Sequence, residues 1–141
     1  MISENGIVIN GKLITPKMTE EQLKDAFGEK VTVFTDVKKP HLKTIGVSDL
    51  YKDETHTFSV AVVISSFNEP SYIKLTKLVT NPNETEQEKF TYYLQWLNKI
   101  SDNKADMVDK QVCSYLNGNI VFYLWKSNFD HCHSIRIYNK I

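Results

Sequence analysis

Net charge and long apolar runs are missing from this chain of 141 residues, in which seventeen basic side chains balance seventeen acidic ones, and no secretory leader is expected. With no net field, nothing draws it onto nucleic acid or an anionic membrane, and a dedicated DNA-binding domain would be more basic. Neither half is a charged tail. No apolar stretch approaches the ~20 residues that a membrane helix needs. The opening Met-Ile-Ser-Glu-Asn has no basic run leading into an apolar core, so the expected location is cytoplasmic. Cysteine is scarce: Cys113 and Cys132 stand alone, and in that compartment both are expected as thiols. Missing too are a phosphate loop, a dinucleotide fingerprint, a nucleophile elbow and a zincin motif, which removes the strong sequence arguments for an enzyme or a cofactor.

What is present is the composition of a globular protein, 41% hydrophobic and 11% aromatic, and the length suits a single α+β domain over residues 1–141. Its clearest signals come first. Asn10-Gly11 between short apolar runs predicts a tight hairpin, because that turn needs positive φ at both central residues. A helix should begin after Thr19, with Gln22 completing a capping box, Met18 and Leu23 forming a staple, and Gly28 stopping it. Its apolar face is Leu23, Ala26 and Phe27.

Strands are then expected over Val31 to Thr35, Ile45 to Tyr51, Phe58 to Ile64 and Tyr72 to Val79, the third lying inside the sheet. A second helix should start near Thr85, with Glu88 closing another capping box and Glu84, Glu86 and Glu88 set against the positive end of its dipole. Phe90, Tyr93, Leu94, Leu97 and Ile100 mark its apolar stripe. A third helix is expected through Val108, Val112, Tyr115 and Leu116, ending at Asn117-Gly118. Ile120 to Trp125 reads as a strand buried on both faces, paired through a bend at Ser127 to Asp130 with Ser134 to Tyr138. No internal repeat is visible. The order of elements predicts an α+β fold, a largely antiparallel sheet with two or three helices packed on one side.

Asp130-His131-Cys132-His133 is the one local cluster of metal-ligand types. In an extended segment His131 and His133 point one way and Cys132 the other, so contiguous ligands converge poorly on one ion. His131 and His133 share parity with Ile135 and Ile137, and the plain account makes them the polar end of a sheet face, with no metal site. The competing account completes a two-histidine site with His41, His56 or an acid. Cys113, near the stripe of the third helix, reads as a small core hydrophobe rather than a nucleophile.

The aromatic set Tyr92, Tyr93, Trp96, Tyr115, Tyr123 and Trp125 lies in apolar runs with few bases, which favours packing over base stacking. Tyr92 and Trp96, four apart and somewhat off the main stripe, can form an exposed aromatic ridge of the kind enriched at interfaces, or the edge of a wide buried face. Asp49, Asp53, Glu54 and Glu69 around the ends of the central hairpin form a second candidate patch that could pair with a basic partner.

The run Ile7 to Gly11-Lys12, followed by the Thr19 to Gly28 helix and an aromatic strand, resembles the start of small bacterial immunity proteins of the contact-dependent inhibition and polymorphic toxin systems, over roughly the first 65 residues. That resemblance implies a compact, cytoplasmic, cofactor-free α+β protein that binds and neutralises one cognate protein toxin. The neutral charge departs from the acidic character of many immunity proteins against nucleases and points away from such a partner. On this reading the chain has no catalytic residues and binds neither nucleic acid nor membrane. It occludes the toxin's active site through Asp49, Tyr51, Asp53, Glu54, Tyr92 and Trp96. Two other classes compete: a small hydrolase or nuclease using His131 or His133 with Asp130, and a secretion chaperone or adaptor.

Overall fold

The computed structural model describes residues 1–66, 69–78, 81–100, 106–109, 112–126 and 133–140, those at 106–109, 112–117 and 126 by their backbone path. Asn10 and Gly11 hold φ of 51° and 78°, the pair of left-handed residues a two-residue hairpin turn requires. They join β1 (Ile7–Ile9) to β2 (Lys12–Ile14). Thr19 then caps α1 (Glu20–Phe27): its Oγ1 accepts from the Gln22 N–H at 3.2 Å while Gln22 Oε1 accepts from the Thr19 N–H at 3.0 Å. Gly28 ends the helix, as predicted. Lys12 Nζ donates to the Ala26 carbonyl and so ties the hairpin to the C-terminal turn of α1, where a cation complements the helix dipole.

The next four strands run in chain order as an antiparallel meander: β3 (Val31–Thr35), β4 (Leu42–Lys52), β5 (Thr57–Ser65) and β6 (Tyr72–Lys77). After α2 (Glu86–Ile100) a second meander follows, β7 (Asp106–Asp109), β8 (Val112–Asn117), β9 (Ile120–Lys126) and β10 (His133–Asn139). The meanders meet through their last strands, giving one eight-stranded sheet in the order β3-β4-β5-β6-β10-β9-β8-β7. The chain thus reads twice as a helix followed by four strands, although no sequence repeat announces it. The α+β class, the antiparallel sheet and the helices on one side all agree with the sequence reading.

One face of this sheet is the core. Ile45 and Val47, Phe58, Val60 and Val62, Ile73 and Leu75, Ile135 and Ile137, and Phe122 and Leu124 lie on cross-strand registers that put them on the same side, under α1, α2 and the hairpin. Thr85 Oγ1 accepts from the Glu88 N–H at 3.1 Å to start α2. The helix then buries Tyr93, Trp96 and Leu97 at i, i+3 and i+4. Trp96 meets Phe58 edge-on at 5.0 Å and Phe122 at 6.1 Å. Tyr93 locks the helix across the junction of the meanders: its hydroxyl donates to the His133 carbonyl at 2.9 Å and accepts from the Lys77 N–H at 2.7 Å.

Two expectations are corrected. The region read as a third helix is the strand pair β7 and β8, with Cys113 in β8 opposite Leu124. Asn117-Gly118 is accordingly not a helix stop: Asn117 ends β8 opposite Ile120, and Gly118, at φ 59°, and Asn119 form the hairpin turn between β8 and β9. Likewise, β9 is buried on one face only: Ile120, Phe122 and Leu124 are 0–1% exposed, whereas Trp125 is 40% exposed. Val79 and the bend at Ser127 to Asp130 lie outside the described residues.

Candidate functional site

Side chains alternate along a strand, so burying Ile135 and Ile137 under the helices sends Ser134, Arg136 and Tyr138 to the opposite face of the sheet. Register brings Tyr123 and Trp125 of β9 alongside on one flank and Lys74 of β6 on the other, with Tyr72 on the same face. Neither helix lies on this side.

Arg136 is the only arginine in the chain. Its guanidinium sits 4.5 Å from the centre of the Tyr72 ring and 4.5 Å from that of Trp125, so the charge is held between two aromatic faces by cation–π attraction. Its Nε is buried with no hydrogen-bond partner among the described residues, and no described carboxylate forms an ion pair with it. Tyr138 packs on Tyr72 at 5.2 Å, tilted 43°, and on Tyr123 at 5.6 Å, nearly perpendicular at 80°. Burial pushes the Tyr72 hydroxyl above the ordinary tyrosine pKa, against the pull of the Arg136 charge. Beside the stack lies a shallow groove of about 510 Å³, walled by Val121, Tyr123, Trp125 and Tyr138, with Lys140 and Pro70 at its rim. Such a surface can hold an apolar side chain and, beside Lys140, an anionic group.

Most of the residues proposed from sequence as partner contacts do come together, but inward. Tyr51 is 3% exposed and packs edge-on against Trp96, which is 0% exposed. Asp53 accepts from the backbone N–H groups of Thr55 and His56 at 2.9 and 2.8 Å and from Trp96 Nε1 at 2.8 Å, with Lys99 Nζ at 3.5 Å. Burial opposes ionisation of Asp53, but those bonds and the Lys99 charge outweigh it and hold the carboxyl at about 2. Tyr92 is half-buried, its ring 4.4 Å from His56 and its hydroxyl accepting from the Thr57 N–H at 2.8 Å. The wide buried face of α2 is therefore what Tyr92 and Trp96 belong to, not an exposed ridge. Tyr51 and Trp96 cannot touch a partner, and Asp53 is spent on holding the β4–β5 turn.

Of the rest, Asp49 pairs with Lys30 at 3.1 Å, and only Glu54 stands exposed. Glu69 lies beyond the far end of β5 from Asp53 and Glu54, 3.7 Å from His41, so the four acids do not form one patch. His133 is 5% exposed beneath α2, its ring 5.9 Å from Phe90 and 6.4 Å from Tyr93, which gives it the role of a sheet-face histidine. Asp130, His131 and Cys132 lie outside the described residues. Among the described residues no three His, Cys, Asp or Glu side chains gather as metal ligands, and no helix is long and apolar enough to cross a membrane.

The sequence reading missed Tyr72, Arg136 and Tyr138 and assigned Tyr123 and Trp125 to the core. Parity was the available signal: Tyr123 and Trp125 alternate with Phe122 and Leu124, as Arg136 and Tyr138 alternate with Ile135 and Ile137. Fold and site together define an α+β protein with an aromatic, cationic surface on the sheet face that no described helix covers. No family model matches this chain, and no curated protein or solved structure matches it either.

Proposed function

We propose that this chain is a non-enzymatic protein-binding module, an immunity protein that neutralises a cognate bacterial toxin by covering its active site. The observation that carries the binding role is the uncovered sheet face, where Tyr72, Tyr123, Trp125 and Tyr138 surround Arg136. Trp, Tyr and Arg are the residue types that dominate binding hot spots, because each joins a large apolar area to a directional polar group. A second support comes from the ionisable residues. Asp53 and His56, whose titration is shifted, have their bonding directions used within the fold, Asp53 by the β4–β5 turn and Trp96, His56 by Thr55 and the Tyr92 carbonyl. The toxin as partner is supported by the resemblance of the hairpin and capped helix at residues 7–28 to the start of contact-dependent and polymorphic-toxin immunity proteins.

The test is co-production with the product of the adjacent reading frame. A growth arrest caused by that product alone, relieved by this chain and accompanied by a stoichiometric complex, is the expected result. A neighbour that is harmless, or that forms no complex with the chain, overturns the toxin reading.

A further inference from the structure

We infer that the uncovered face takes an extended acidic segment of the partner protein, one carboxylate set against the Arg136 guanidinium and an apolar side chain two residues away in the groove that Val121, Tyr123, Trp125 and Tyr138 line. This rests on the protein-binding reading and specifies the chemistry of what is bound.

Charge is the first argument. Arg136 and Lys74 share a cross-strand row on this face, and Lys140 stands at the rim of the groove; none of the three forms an ion pair among the described residues. Glu69, in the turn before Pro70, is 61% exposed and lies 3.7 Å from His41. Register sets Asp106 of β7 in the Arg136 row but three strands away, roughly 14 Å at ordinary strand spacing. A guanidinium held between two rings, with Nε buried and lacking a described acceptor, is an oriented donor, and a carboxylate is the acceptor that its geometry fits.

Shape is the second. The groove is partly open to solvent, so it encloses a small molecule less fully than a dedicated ligand pocket does. It suits one side chain of a chain that continues past it. Alternate side chains of an extended segment project the same way about 6.6 Å apart, which carries one residue to Arg136 on β10 and the next into the groove over β9. A nucleic acid is the weaker fit. Base stacking calls for rings laid open as platforms, whereas Tyr138 stands tilted 43° to Tyr72 and 80° to Tyr123, and one face each of Tyr72 and Trp125 is taken by Arg136.

A random-peptide phage library selected against the intact chain, with Arg136→Gln and Lys140→Glu proteins as comparators, tests this without the natural partner. Enriched peptides should carry an acidic and an apolar residue two positions apart, and the synthesised peptides should bind Arg136→Gln at least about tenfold and Lys140→Glu about threefold more weakly than the parent chain. No enrichment, enrichment without acidic residues, or equal binding to both variants overturns the inference. Arg136-dependent binding of an oligothymidylate in place of peptides overturns it in favour of a nucleic acid. Urea midpoints confirm that the variants fold; if Arg136→Gln does not, Lys140→Glu, an exposed change, decides alone. Acidic peptides that bind beside a failed growth rescue remove only the toxin reading, and a rescue indifferent to both variants removes only this surface.

Discussion

Trp96 Nε1 donates to Asp53 Oδ2 across 2.8 Å, pinning α2 to the β4–β5 turn inside the molecule. A residue pair chosen from sequence for contact with a partner is thereby a structural clamp. Trp96→Phe removes the donor and leaves a small void at a site that is 0% exposed, and is expected to cost about 2 kcal/mol. Urea unfolding measures it. Partner affinity of the folded variant should stay at the parent value.

Stability should fall with acid in two stages. Burial lowers the His56 pKa, with the Tyr92 carbonyl bond opposing, so the unfolded chain takes up that proton first. Stability is then lost as pH drops below the ordinary histidine value near 6.5. Asp53, held at about 2 in the fold against an ordinary 3.8, stabilises the fold above that higher value. Its contribution, about 1 to 2 kcal/mol after solvent screening, is lost as pH falls through the window between the two. Unfolding curves from pH 8 to 2 should show the acid stage flattened in Asp53→Asn and the upper stage flattened in His56→Gln.

Gly118→Ala should be costly for two reasons. Its φ of 59° strains any residue with a side chain, and an added Cβ would lie 2.8 Å from Glu4 Cα, where the N-terminal segment crosses the β8–β9 turn and Glu4 O accepts from the Asn119 N–H at 2.8 Å. A loss of about 2 kcal/mol is expected by urea unfolding. A change near zero would mean that this crossing contributes nothing to stability.

The two tryptophans should separate in fluorescence. Trp96 is fully buried and Trp125 is 40% exposed, so acrylamide should quench a red-shifted component that vanishes in Trp125→Phe, with unfolding midpoints shifted by less than about 0.5 kcal/mol. Arg136→Gln should move that component and leave the buried one in place.

Local chemistry decides how much of the fold and the site is legible in the sequence. The Asn10-Gly11 turn and the Thr19 to Gly28 helix are specified by residues within a few positions of one another, and both form as predicted. The β7–β8 region reads as helix because Val108, Val112, Tyr115 and Leu116 satisfy a helical spacing. What makes it strand is pairing with β9, Cys113 opposite Leu124 and Tyr115 opposite Phe122, a contact that periodicity alone does not contain. Yet Gly118-Asn119, the two residues between the paired Asn117 and Ile120, are a local signal that does favour a tight turn. The binding surface is hidden by the same region: once β9 is taken as buried on both faces, Tyr123 and Trp125 become core, and Arg136 has nothing to stack on. Acids in turns stand out instead, although a turn carboxylate such as Asp53 has nearby backbone N–H groups to satisfy it.

The most direct measurement is the affinity of the purified chain for its co-purified partner, comparing Trp125→Ala with Glu54→Ala. Trp125→Ala should weaken binding roughly thirtyfold, about 2 kcal/mol, while Glu54→Ala changes it less than about threefold. The reverse order, with Glu54 dominant and Trp125 neutral, would contradict the placement of the interface on the uncovered face of the sheet.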